Sequence, residues 1–348
     1  MDEQGQLTSG ELAAEAPAHA ERPTLRKWAK WIVALAVTVG IFVVLLLKIP
    51  VRDVADALHG ARAGPLLGAV AMSIVIKVFM GADKWRRILT ALSCRVSLGE
   101  ATFVRTATGP LRLTPGKVGT LLAAVYLWRH QRFPFAKGVS SLLLERLQNL
   151  AALLAFIVFG PMVFHVRAPA QVDHLSSSRT LLASAICVAS LGAVYALRRP
   201  LYGLVARINV KLAVVIRDLA SCFHEIHPAR QAGLLLYAAA AQAGELTMGY
   251  LIFRGVGVSA PFGTVFVGLA LMVIAGNIPV SLLGFGIREL TVVYLFQSYG
   301  AEPELLAVGI LISVIGYVLP VVIGLPLLGL FVRRLADSTP SAYTDRVA

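Results

Sequence analysis

Glu145, Gln148 and Asn149 stand three and four residues apart inside an apolar run, 138–164. On a helix these spacings put them on one face with Gly138 and Ser141, and Arg146 is adjacent. A second apolar run, 231–253, carries Gln242, Glu245 and Gly249, again on one face. Lys77 lies in a third run, 64–82. Arg105 and Arg112 flank one Gly/Pro-broken stretch, and Arg288-Glu289 follows another. Ionisable groups within apolar spans are costly and mark functional sites by default. There an arginine can hold a phosphate through charge-assisted hydrogen bonds, while a glutamate supplies a counter-charge or a proton site. The competing reading is that Glu145-Arg146 and Arg288-Glu289 are ion pairs that lock helices together, and the sequence leaves both readings open. Lys77, read as near the cytoplasmic end of its run, is expected to snorkel.

Other chemistries find little support. No G-x-x-x-x-G-K-[ST], H-E-x-x-H or G-x-S-x-G pattern occurs. Gly284-x-Gly286 follows no strand pattern, so it is not a dinucleotide fingerprint. His224 and His227 have no further ligand beside them, and Cys94, Cys187 and Cys222 show neither metal nor disulfide spacing. No metal, no cofactor and no enzymatic activity are therefore expected. Ser141 shares a face with Glu145, but no complete nucleophile–base set accompanies them.

The elements that position these residues are membrane helices. The chain of 348 residues is 57% hydrophobic and 15% charged, and its formal charge is +13. The basic residues sit beside apolar runs, as the positive-inside rule predicts, which argues against nucleic acid as a partner. The expectation is an all-α, polytopic helical membrane protein without room for a separate soluble domain.

The order of elements occurs twice. Apolar 64–82, a break around Gly109–Gly116 and apolar 138–164 are followed by apolar 231–253, a break at Gly276–Gly286 and apolar 305–331. Gly116-x8-Val125-Tyr126-Leu127 aligns with Gly284-x8-Val293-Tyr294-Leu295, an offset of 168 residues. Paired broken segments in two halves point to a transporter-type site. Loop charges place both ends of 98–129 on the cytoplasmic side, so that segment reads as a re-entrant hairpin with Pro115, Gly116 and Gly119 at its tip. Its partner, 262–299, reads as a hairpin entering from outside, with Pro279, Gly284 and Gly286 at its tip; two ordinary spans would leave the same loop charges.

The full expectation is six spans plus two opposed re-entrant hairpins in an inverted repeat. Repeat one is 64–164 and repeat two is 231–331. A linker span, 180–197, and an amphipathic cytoplasmic stretch, 201–223, lie between them. The transmembrane domain is 29–335, flanked by a disordered tail, 1–28, and a tail at 336–348, both cytoplasmic.

Leu113-Thr114-Pro115-Gly116-Lys117-Val118-Gly119, then Leu144-Glu145-Arg146-Leu147, then Pro279 and Gly284-Phe285-Gly286-Ile287-Arg288-Glu289 resemble the lysylphosphatidylglycerol synthase transmembrane family. The resemblance covers roughly residues 30–335 and implies a lipid-translocating or lipid-handling domain. It carries Pro115, Gly116, Gly119, Glu145, Arg146, Gly284, Gly286, Arg288 and Glu289 over as family positions. Thr120 and Asn149 stand where the family often has acids, which weakens the case for a cationic lysyl headgroup.

The resulting expectation is a flippase-like protein of the plasma (inner) membrane. It would move a phospholipid or polyprenyl-phosphate glycolipid through a polar cleft lined by Arg112, Glu145, Arg146, Asn149, Gln242, Glu245, Arg288 and Glu289. The alternative is a non-transporting partner that recruits or regulates a lipid-modifying enzyme through its basic surface, Arg199–Arg217. Small-residue faces suit a homodimer and packing within one chain equally.

Overall fold

Asp83, Lys84, Arg86 and Arg87 do not end the helix begun in the apolar run 64–82. In the computed structural model, helix α2 runs unbroken from Ala63 to Ala91. The structure describes residues 38–113 (Phe42 and Leu46 excepted), 118–166, 225–277 and 284–337. The linker span 180–197, the stretch 201–223, the tail 1–28, residues 338–348 and the tip residues Pro115, Gly116 and Pro279 lie outside the described residues, and the last helix takes in the first two residues of the expected tail 336–348.

Every described element is helical. Helical residues between 38 and 48 lead to α1 (Val51–His59), then α2, α3 (Leu98–Ala107), a 3-10 turn (Pro110–Leu113) and α4 (Val118–Gln131). They continue as α5 (Phe135–Val163), α6 (Pro228–Val256), α7 (Phe262–Asn277), α8 (Ile287–Phe296) and α9 (Glu302–Asp337).

Among the described helices, α2, α5 and α9 are long and apolar enough to cross a membrane. Helix α6 matches α2 and α5 at 29 residues, about 43 Å at 1.5 Å per residue. The others are short: α3 and α8 have 10 residues, α4 has 14 and α7 has 16. Each falls below the roughly 20 residues that a crossing needs. The order long–short–short–long therefore occurs twice, as α2–α5 and as α6–α9.

Local chemistry sets the breaks. Ser97 caps α3, its hydroxyl accepting from Glu100 N at 3.1 Å. Gly109 and Pro110 close that helix. Gly257 ends α6 with φ +100°, a conformation that a side chain would strain. The α7–α8 break ends on Gly284 and Gly286, at φ +81° and +83°.

The two short pairs close at opposite ends of the bundle. Glu100, near the start of α3, accepts from Tyr126 Oη at 3.2 Å and from Gln131 Nε2 at 3.1 Å, both near the end of α4. The end of α9 is also there, where Arg129 Nη1 donates to Leu335 O at 2.8 Å. At the other end, Phe296 of α8 packs on Phe253 of α6, and Phe262 of α7 packs on Phe164 after α5. Each end has its own apolar core. One is built around Trp85, Leu89, Leu127 and Phe331, the other around Phe253, Phe266, Phe296 and Leu306. Outside these cores Leu67, Phe79, Leu236, Tyr294 and Val332 are exposed, a surface suited to lipid rather than water.

Candidate functional site

Two polar groups lie between the helices. The first gathers around α2, α6, α8 and α9. Lys77 stands fourteen residues from each end of α2, at Ala63 and Ala91. The expectation of a snorkelling lysine is corrected by the partner this side chain finds between the helices. Lys77 instead pairs with Glu245 of α6.

Helix geometry changes at this point. Ile74–Met80 of α2 and Val314–Val318 of α9 are π-helical, a departure that tends to mark functional sites. Ser73 Oγ joins the two stretches by donating to Ile315 O at 2.6 Å. Tyr317 lies in the second stretch, with its hydroxyl 3.5 Å from Glu245 Oε1 and its ring centroid 5.1 Å from Lys77 Nζ.

Arg288 lies with its guanidinium 3.6 Å from the Tyr317 ring centroid. A desolvated cation–π contact of this kind is worth about 2 kcal/mol. The residue is 3% exposed, yet its Nε and Nη1 have no hydrogen-bond partner. A buried donor left unmade costs about 1–3 kcal/mol and needs an explanation. Gly276 makes room for this side chain, since a Cβ there would lie 2.6 Å from Arg288 Nε.

Glu289 does not pair with its neighbour Arg288. It accepts from Gly286 N at 2.6 Å and from Ser313 Oγ at 2.5 Å, fully buried. Successive side chains on a helix point in different directions, so adjacency in sequence does not make a pair. Gly309 allows the close approach of α8 and α9 here, because a Cβ would lie 2.9 Å from Glu289 Cα.

The second group joins α2, α3 and α5. Arg105 Nη2 donates to Glu145 Oε1 at 2.8 Å. Lys84, 2% exposed, donates to Asn149 Oδ1 at 2.5 Å and to Glu145 O at 3.2 Å. Trp85 Nε1 donates to Ser141 Oγ at 3.1 Å, and Ser141 donates to Gly138 O at 2.7 Å rather than to Glu145. Ser140 Oγ and Gln148 Oε1, on the same helix, are buried without a partner.

The remaining expected residues divide plainly. Gln242 is buried one turn before Glu245, and Gly119 is buried at the start of α4. Arg146 is on the exposed side of α5, while its neighbour Glu145 faces inward to Arg105. Arg112 sits in the 3-10 turn after α3. Lys84, Trp85, Ser313 and Tyr317 were not among the expected site residues. Lys84 was legible through its spacing, two helical turns beyond Lys77. Among the described residues no three His, Cys, Asp or Glu side chains come together to hold a metal. A small hollow of about 60 Å³, lined by Arg62, Arg254 and Ser259, lies at the far end of α6 and includes no residue of either group.

Residues 31–324 match the family described as Lysylphosphatidylglycerol synthase TM region. The chain belongs to this family. The match spans both polar groups and both breaks, and with the apolar helices it makes this a multi-pass membrane protein of a lipid-related family. Comparison with curated proteins gives no significant match.

Proposed function

We propose that the protein moves a phosphate-bearing amphipathic lipid, a phospholipid or a polyprenyl-phosphate glycolipid, between leaflets. The headgroup passes through a polar path between the two broken helix pairs while the acyl chains stay in the bilayer. The observation that carries this reading is Arg288, a buried guanidinium with free donors beside a break in the helices. A lipid phosphate is the natural partner for such donors. Freed backbone at the breaks is tolerated at membrane depth where it lines a cavity.

Several features support an inverted repeat with two re-entrant hairpins. The α3–α4 pair closes at one end of the bundle and α7–α8 at the other. Lys77 and Glu245, equivalent under the 168-residue offset, touch each other, as matched positions near a two-fold axis would. The basic end, with Arg86, Arg87, Arg333 and Arg334, is cytoplasmic in this reading, and the membrane is the plasma membrane. The protein acts as a transporter and not as an enzyme.

The alternative is a partner that recruits a lipid-modifying enzyme. Glu145→Gln and Arg288→Ala separate the two. Loss of lipid movement in these variants supports transport. Intact function in both, with loss on neutralising the basic stretch 199–217, supports recruitment.

A further inference from the structure

Arg62 and Arg254 meet at the hollow at the far end of α6. Arg62 precedes the first turn of α2, and Arg254 lies in the last turn of α6. Gly257 ends α6 with φ +100°, and Arg62 N donates to Gly255 O at 2.7 Å, which joins the two helix ends. The hollow that the two arginines line with Gly257, Val258 and Ser259 holds about 60 Å³. One water needs about 10–15 Å³ of such space, so a group of about four or five heavy atoms fits. Arg62, Arg254 and Ser259 are exposed, which leaves the hollow accessible.

Among the described residues neither guanidinium has an ion pair or a hydrogen bond. The other end of the same two helices makes the contrast. The 168-residue offset carries Arg62 to Arg230 and Arg254 to Arg86. Arg86 pairs there with Asp83 at 2.7 Å. Leu251 stands at the position equivalent to Asp83, so Arg254 has no such carboxylate. Glu304, across Gly300 from Val258, accepts from Ala301 N at 3.2 Å and pairs with neither arginine. Helix stability does not account for the two residues either. A cation is favourable at the end of α6 but unfavourable at the start of α2.

We infer that this hollow is a phosphate-binding site, separate from Arg288, that takes the phosphate of a lipid headgroup or free phosphate. A single arginine already satisfies both oxygens of a carboxylate, whereas two guanidinium groups need the further oxygens of a phosphate. Ser259 adds a hydroxyl. Arg254 stands nine residues beyond Glu245 on α6, about 14 Å along the axis. The hollow would therefore receive or release a headgroup at one end of the path; that role rests on the lipid-moving reading, while the binding itself does not.

The experiment is native mass spectrometry of the purified full chain in detergent. Phosphatidylglycerol, inorganic phosphate and oleate, an anionic lipid without phosphate, are the probes. The expected result is one bound phosphate probe that weakens about tenfold or more in Arg62→Gln/Arg254→Gln, as loss of one charge-assisted hydrogen bond or more would give. It should keep part of its strength in Arg62→Lys/Arg254→Lys and persist in Arg288→Ala. Loss confined to phosphatidylglycerol names a lipid headgroup as the source, and equal loss of inorganic phosphate names the free anion. Equal binding of oleate, or binding unchanged in the double glutamine variant, overturns the inference.

Ser259→Cys, with Cys187 and Cys222 replaced by Ser, gives a second reading that leaves both arginines in place. The phosphate probe that binds should slow labelling by a charged maleimide about tenfold, and oleate should not. Unslowed labelling counts against the inference. Leaflet exchange is read separately: binding here without exchange refutes transport and leaves the site intact, and exchange without this binding does the reverse.

Discussion

Lys77, the central residue of α2, is ion-paired with Glu245 of α6, the residue 168 positions later. The same offset separates Gly116 from Gly284. Each long helix that opens a half of the chain therefore contributes one charge of a single pair. The side chains are 23% and 10% exposed. Loss of one partner leaves the other uncompensated, which for buried pairs costs about 3 kcal/mol or more. Lys77→Met and Glu245→Gln should each lower the thermal midpoint in detergent, and the double variant should recover most of the loss. Additive losses in this double-mutant cycle would show that the pair is not coupled.

Gly276 and Arg288 should act as one unit. A methyl group at 276 would meet Arg288 at Nε and Cγ, 2.6 and 2.9 Å away. Gly276→Ala should therefore displace the guanidinium and reduce lipid movement about as much as Arg288→Ala, with folded yield retained. Lipid exchange rates of the two variants check this; normal exchange by a folded Gly276→Ala would contradict it.

At the second polar group, Glu145→Gln keeps the shape and removes the charge that holds Arg105. The Lys84 bonds to Glu145 O and Asn149 Oδ1 do not depend on that charge. The variant should fold, with a stability loss of about 1.5–3 kcal/mol, the worth of one charged hydrogen bond. Asn149→Leu should cost more, since it removes the shorter of the two hydrogen bonds of a lysine that is 2% exposed. Thermal unfolding of the two variants gives the order, and the reverse order would mean that Arg105 carries the group.

Cysteine labelling tests the opposed closure of the short helix pairs. Cys94 is buried, and burial with Glu100 nearby pushes its thiol up, so it holds little thiolate at neutral pH and should resist maleimide. With Cys187 and Cys222 replaced by Ser, new cysteines at Arg95 and Arg132 should label from one side of the membrane. One at Glu302 should label from the other. Labelling of all three from the same side would remove the inverted arrangement.

Much of this architecture was readable from apolar length and Gly/Pro punctuation. The runs 138–164 and 231–253 lie within helices Phe135–Val163 and Pro228–Val256 to within a residue, and the breaks after Ala107 and Asn277 fall where glycine and proline are frequent. The end of α2 was not readable this way. The charges of Asp83, Lys84, Arg86 and Arg87 interrupt the apolar run, although Asp83 bonds Arg86 and Arg87 within the helix, and hydropathy cannot separate a charged helical turn from a loop. Lys84, beyond the apolar run but on the same helix, is therefore missed by apolar length. The charged faces of α5 and α6 followed from spacing alone. Their partners did not, because Arg105 to Glu145 and Ser313 to Glu289 are tertiary contacts that local sequence does not encode.

The most direct test of the central claim is leaflet exchange of fluorescent lipids by the purified protein in vesicles. Phosphatidylglycerol and a polyprenyl phosphate are the probes, and Arg288→Ala and Arg288→Lys are the comparison variants. The account predicts exchange of at least one probe by the native chain, loss of about tenfold or more in Arg288→Ala, and partial retention in Arg288→Lys. No exchange of either probe by folded protein, or equal exchange by Arg288→Ala, would contradict it.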